Sequence, residues 1–321
     1  MGRLEGPLAV LQANGRYGVS LFFAVSGFLI CSLLLREERR NGAINLRAFY
    51  IRRSLRLFPL YYSVLLLYNV LIYFLNQFSP ENQILFWEKL PFHLTYLSNY
   101  TAQSTQGPFF FSWSLAIEEQ FYLVFSVLFF FLARRHLIQV IVAALIAKFL
   151  ILNYIVAFDG AHDEARRLLS SFCEPILMGV LAAVAIHTKT GFRMLHVLSK
   201  PWLLMLVGVS VVILLACYEI RGTSEPVAQM LYLLMTALIE GVAMRPRVPM
   251  LGNRLLLHIG KVSYGIYLLH MLFIMATERL ITANPVIVFP LATIGVVIGA
   301  SVVFQYFEQP LLRYKKRFSR A

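Results

Sequence analysis

Ser114, Glu118 and Tyr122 recur every fourth residue within Phe111 to Leu123 (FSWSLAIEEQFYL), so on a helix they form one polar stripe, with Glu119 pointing to another face. A carboxyl on such a stripe, surrounded by apolar side chains, can donate or accept a proton, and the same stripe can equally act as polar glue between helices. A second chemical group is cationic. Arg52, Arg53 and Arg56 crowd into Tyr50 to Tyr62 (YIRRSLRLFPLYY), and guanidinium forks match phosphate oxygens two at a time. They equally satisfy ordinary positive-inside topology and contact with anionic headgroups. His270 closes Ser263 to His270 (SYGIYLLH); its imidazole can change charge near neutral pH, although spacing alone reads it as a satisfied core histidine. Lys148, Glu174 and Glu240 are the other ionisable groups inside apolar runs, and Lys148 and Glu174 are expected to pair across neighbouring antiparallel helices.

The elements that must hold these groups are membrane helices. Of 321 residues 59% are hydrophobic and 14% charged, too few charges for a soluble domain, while 26 Phe and 16 Tyr exclude disorder. The net charge of +13 does not indicate a nucleic-acid partner, because the basic residues lie between apolar runs rather than along faces. Cys31, Cys173 and Cys217 stand singly, without metal or disulfide spacing, so no metal site is expected.

Crossing about 30 Å of hydrocarbon takes about 20 apolar residues. Nine stretches qualify: 17–35, 57–78, 109–133, 137–158, 168–187, 202–220, 227–244, 262–280 and 286–307. The stretch 84–97, interrupted by Pro91, reads as interfacial or re-entrant. The fold class is therefore all-α, a polytopic integral membrane helix bundle with the lipid bilayer as its solvent. Placing the C-terminal end in the cytoplasm puts 21 of the 29 basic residues on that side and seven on the other, with Lys148 inside a span. The loop from Arg36 to Arg56 is then cytoplasmic and the stretch 79–108 is outside. The chain reads as one membrane domain over 1–308, followed by a basic cytoplasmic tail over 309–321. An odd number of spans leaves the N-terminus outside, and one further helix preceding Met1 in a full-length or ancestral form would bring both ends inside; translocation of a short tail is the alternative.

Five runs together resemble the membrane-bound acyltransferase family 3, in order and over nearly the whole length: Ser20 to Ile30 (SLFFAVSGFLI), Tyr50 to Tyr62, Phe111 to Leu123, Ser263 to His270, and Phe307 to Arg313 (FEQPLLR). The resemblance implies ten spans and transfer of an acyl group, most often acetyl, from acyl-coenzyme A (acetyl-CoA) to a hydroxyl of a carbohydrate or lipid-linked glycan. It implies a bacterial inner membrane location, with the donor on the cytoplasmic side and many acceptors outside. Under it Arg52, Arg53 and Arg56 become candidates for the donor's phosphates, Glu118 a candidate catalytic group with His270 as a substitute base, and Ser26, Ser114 and Tyr122 candidate channel residues. Ser26 and Gly27 match the family's serine-glycine pair, where a small residue lets two helices approach closely.

The family usually opens with a helix bearing an arginine and, about three turns later, the histidine taken as general base. Neither is present here, and Arg3 to Arg16 corresponds best to the outer loop after that helix. This departure keeps two rivals open: a transporter or acyl conduit, which a polar intramembrane stripe also suits, and a non-catalytic membrane partner. No code for the acceptor is readable.

Overall fold

Long runs of Leu, Phe, Val and Ile fold as helices because lipid offers the backbone no other hydrogen-bond partners. The computed structural model describes residues 10, 13–101, 106–157, 173–218, 226–245 and 252–315. Its regular elements are all helical among these residues: α1 (Arg16–Asn41), α2 (Leu46–Tyr73), α3 (Pro80–Leu94), α4 (Ser112–Phe131), α5 (Arg134–Ala157), α6 (Glu174–Ile186), α7 (Lys189–Leu195), α8 (Pro201–Cys217), α9 (Pro226–Ala243), α10 (Arg254–Leu280), α11 (Pro285–Val303) and α12 (Gln309–Lys315). Between α11 and α12 the chain takes one π turn, Phe304–Glu308. Most of Arg3 to Arg16, and Lys316, Arg317 and Arg320 of the expected tail, lie outside the described residues.

Five of these segments are long and apolar enough to cross a membrane: α1, α2, α4, α10 and Pro285–Arg313. A sixth is added if α6 and the segment after it, bent by 106°, count as one span. The described residues therefore give a membrane helix bundle with fewer full-length spans than the nine expected. The stretch at 168–187 begins outside the described residues and continues as α6, only 13 residues long. α8 has 17 residues and rises about 26 Å, short of the hydrocarbon thickness. Large apolar side chains such as Leu33, Leu66, Phe131, Ile294 and Ile298 lie exposed along the helices, as lipid-facing residues do.

α2 starts eleven residues before the expected span at 57–78, because the Asn45 side chain caps it by accepting from Ala48 N at 2.9 Å. The arginine run expected in a loop is thus helical. α1 crosses α6 at backbone contact. A Cβ on Gly27 would collide with the Ile176 carbonyl, and one on Gly179 with the Ala24 carbonyl, so the close approach expected for the serine-glycine pair is made against α6.

Of the four apolar clusters among the described residues, the two largest hold the site. One joins α1, α4, α5 and α6 through Leu34, Phe125, Leu137 and Val180; the other joins α2, α3, α10 and α11 to the start of α4 through Tyr61, Phe86, Leu268 and Ala300. α4 belongs to both, with Leu115 and Ala116 in the second core and Tyr122, Phe125 and Phe129 in the first. Glu118 and Glu119 sit at the seam.

The ends of the bundle are tied separately. At one end Arg39 of α1 donates to the His187 carbonyl and Arg52 of α2 pairs with Glu37 of α1 at 2.9 Å. At the other, Arg279 of α10 donates to Gln77, and Lys89 Nζ donates to the Gln106 carbonyl at 3.0 Å. The stretch expected to be interfacial or re-entrant folds as α3 and then turns inward. Tyr61 OH donates to the His93 carbonyl at 2.8 Å, Tyr96 stacks on Tyr61 with centroids 4.3 Å apart, and Gln120 Nε2, one residue past Glu119, donates to the Tyr96 carbonyl at 2.8 Å.

Candidate active site

Arg53 is the centre of the buried polar cluster. α2 carries it against α4, where Nη2 donates to Glu118 Oε1 at 3.1 Å and Nε to Glu119 Oε1 at 3.2 Å. Its guanidinium carbon lies 3.1 Å from the centroid of the Tyr122 ring, a face-on cation–π contact. From α1, the Ser26 hydroxyl reaches both the Glu118 carboxylate and the Tyr122 hydroxyl, and Tyr122 OH also donates to Glu118. Three helices thus converge on one carboxylate oxygen, Glu118 Oε1, which accepts from Ser26, Tyr122 and Arg53.

Such a carboxylate suits anchoring better than proton exchange, since its lone pairs are already committed to donors. Glu119 is less enclosed, with 17% of its side chain exposed against 5% for Glu118. Glu119 lies off the stripe, about 100° round the helix from Glu118, yet the Arg53 guanidinium over Tyr122 is wide enough to engage both carboxylates.

The other expected site residues divide into separate groups. Ser114 shares the stripe with Glu118, yet its hydroxyl meets the Tyr267 hydroxyl, and Tyr267 OH also donates to the Phe111 carbonyl at 2.9 Å. His270 is held by its own helix, with Nδ1 2.5 Å from the Tyr267 carbonyl and its ring against Phe111 and Tyr267, outside the Arg53 cluster. The three arginines have three different surroundings: Arg53 is committed to α4, Arg52 is paired with Glu37, and Arg56 is exposed with no hydrogen bond or ion pair among the described residues. Near Arg56, Tyr264 OH donates to the Leu57 carbonyl at 2.7 Å, and Glu308 on the π turn feels the positive charge of Arg56. Glu308 is buried, and its Oε1 has no hydrogen-bond partner among the described residues. Gly265 of α10 faces that oxygen: a Cβ there would stand 3.4 Å from it, in ordinary van der Waals contact. Three of the sequence runs, those of α2, α10 and the π turn, therefore meet around Arg56.

Residues 3–305 match the acyltransferase domain family over nearly the whole chain. The chain belongs to that family. The O-acetyltransferase OatA of Staphylococcus aureus strain NCTC 8325 / PS 47 is 28% identical over 327 residues, covering 93% of this chain and 53% of that protein. OatA of strain MRSA252 matches to the same extent, and the SACOL0978 protein of strain COL is 26% identical over 320 residues, 92% of this chain and 52% of its own length. The chain thus spans about half the length of the curated relatives it matches. No solved structure matches it. Family membership agrees with the five runs from which the resemblance was drawn.

Glu119 and Glu308 were not singled out as site residues from sequence; Glu119 seemed to face away, and Glu308 lay beyond the last expected span. His93 was also missed. It is buried on the inward-turning segment, with Nδ1 2.9 Å from Ser112 Oγ and Ser112 Oγ 3.0 Å from Ser98 Oγ, while its Nε2 has no partner among the described residues. Burial, and secondarily the charge of Lys89, lower its pKa to about 4, so it is a neutral imidazole at physiological pH. The residues around it offered no signal beyond the polar triplet Ser98, Asn99, Tyr100 that follows.

Proposed function

We propose that this chain transfers an acetyl group from acetyl-CoA to a hydroxyl of a carbohydrate or lipid-linked glycan at the opposite membrane face. The observation that carries the reading is the Arg53 cluster, a permanently charged guanidinium fixed by two carboxylates, a phenol ring and a serine at the seam of both cores. In the reaction the acceptor oxygen bonds to the thioester carbon, the carbon–sulfur bond breaks, and the hydroxyl proton leaves the oxygen as the coenzyme thiol is released. A fixed cation beside the path stabilises the negative charge that develops on the carbonyl oxygen. With one cation against two carboxylates, the cluster can also bind or release a proton without leaving Arg53 unpaired.

Two surfaces fit the two substrates. At the basic end Arg56 is the arginine of the run that stands exposed and uncommitted among the described residues, which suits a donor phosphate. At the other end a cavity of about 460 Å³ is walled by Tyr68, Phe109 and Phe110, with Asn82, Gln106 and Arg279 at its polar side. Aromatic faces beside amide and guanidinium donors suit a sugar ring and its hydroxyls. In this reading the basic end lies in the cytoplasm and the stretch 79–108 outside, and the nine-span count is kept with α5, α6, α8 and α9 as crossing helices of a bacterial inner-membrane protein. The conduit reading gains little from the bent pair at α6 and α7, because α7 buries none of its residues and lies at the bundle's edge.

Isothermal titration of the purified chain with acetyl-CoA tests the donor. Arg56→Ala is expected to weaken binding by about tenfold, the worth of one charge-assisted contact. Equal affinity in the variant returns Arg56 to a topological role, and an absence of binding by the parent removes the donor assignment.

A further inference from the structure

The bend between α6 and α7 forms a cavity of about 560 Å³ that the acyl-transfer reading leaves unused, lined by His187, Lys189, Phe192, Arg193 and His196 among others. The bend is built rather than incidental. Thr188 caps α7 by accepting from Gly191 N at 3.1 Å, and its hydroxyl donates to the Ala185 carbonyl at 2.8 Å. Gly191 packs so tightly on the end of α6 that a Cβ would strike the Ala185 carbonyl, and Arg39 of α1 pins the same corner by donating to the His187 carbonyl.

Lys189, Arg193 and His196 follow one another at intervals of four and three residues, so they share one face of α7 and the 3-10 turn His196–Ser199 that continues it. Among the described residues none of the three has a carboxylate within 4.0 Å, whereas Arg52, Arg53 and Lys148 are each matched to an acid. Lys189 and Arg193 therefore give this face unbalanced positive charge among the described residues. Beside it Phe192 lines the cavity while 43% exposed, Met194 is 72% exposed and Trp202 59%, so apolar surface flanks the charge.

We infer that this pocket binds a phosphate-bearing anion, with Lys189 and Arg193 as its principal contacts. Two cations on one helix face, neither paired with an acid among the described residues, suit a phosphate at an open depression, and the apolar flank accommodates what the phosphate is attached to. Two sources share that chemistry: the headgroup of an anionic phospholipid, and the phosphate of a free adenine nucleotide.

The test uses the full chain in phosphatidylcholine nanodiscs, with two probes lacking any acetyl group, so its outcome is independent of the acyl-transfer reading. Adenosine 3′,5′-bisphosphate is titrated in one arm; in the other, phosphatidylglycerol replaces part of the phosphatidylcholine and bound lipid is counted by native mass spectrometry. Lys189→Gln with Arg193→Gln changes only exposed side chains, and retention of the parent's melting temperature confirms that the fold persists. The double variant is expected to lose at least about tenfold in affinity for whichever probe the parent binds. A loss confined to phosphatidylglycerol identifies a lipid site, and a loss confined to the bisphosphate identifies a nucleotide site. Binding of neither probe by the parent, or equal binding by the double variant, overturns the inference.

Discussion

Lys148 and Glu174 meet 2.8 Å apart between α5 and α6, one cation against one anion, whereas Arg53 faces two carboxylates, a phenol ring and, through Glu118, a serine. Both groups lie inside helices of a membrane protein, where an unmatched charge is expensive. The charges of the first pair offset each other, and apolar residues of similar size could replace it. The second has more acid than base and recruits three helices around one guanidinium, more than holding helices together requires. That surplus of acid over base is what the proposed function rests on.

The comparison can be broken most sharply by deleting a cation. Arg53→Ala leaves two carboxylates facing each other in a buried seam, and thermal unfolding in detergent should show a loss of about 3 to 5 kcal/mol. Lys148→Met should cost a similar amount alone, but Lys148→Met with Glu174→Met should restore most of the stability and leave acyl transfer intact. If that double variant folded normally yet lost transfer, the division between a structural and a chemical cluster would be wrong.

A smaller effect lies at the opposite end. His93 has a folded pKa of about 4, below its ordinary value near 6.5, so the unfolded chain binds the proton more readily. The stability from burying neutral His93 is fully present above about pH 6.5 and falls as pH drops toward about 4, by roughly 3 kcal/mol at most. Melting curves across that window should flatten in His93→Gln, while the Lys148 and Glu174 variants should keep the parent's slope; an unchanged slope in His93→Gln would show that another group carries it.

Much of this was legible from spacing. The Lys148 and Glu174 pair followed from two lone charges at matching depth on neighbouring spans, while the close approach at Gly27 came from the resemblance to the family's serine-glycine pair. The sharing of Ser26, Glu118 and Tyr122 was only half legible, because periodicity places residues on a face without naming the helix that meets it. The link of Glu119 to the same arginine was not legible for the same reason: it depends on the width of the guanidinium that bridges both acids. The arginine run was legible as a unit but not as three different fates, which depend on Glu37 from α1 and on both acids of α4. His93 and Glu308 were illegible, since one needs the inward turn after α3 and the other a π turn that no residue type announces.

The central claim is that Arg53, as a fork between Glu118 and Glu119, supports the transfer step. Its most direct test measures acetyl-CoA-dependent acetylation of a glycan acceptor in membranes holding equal amounts of the parent and of Arg53→Lys. Lysine keeps the charge but cannot engage both carboxylates in a planar fork or lie flat on Tyr122. The account predicts that transfer falls by at least about tenfold while the amount of folded protein stays within about twofold; equal rates would contradict it.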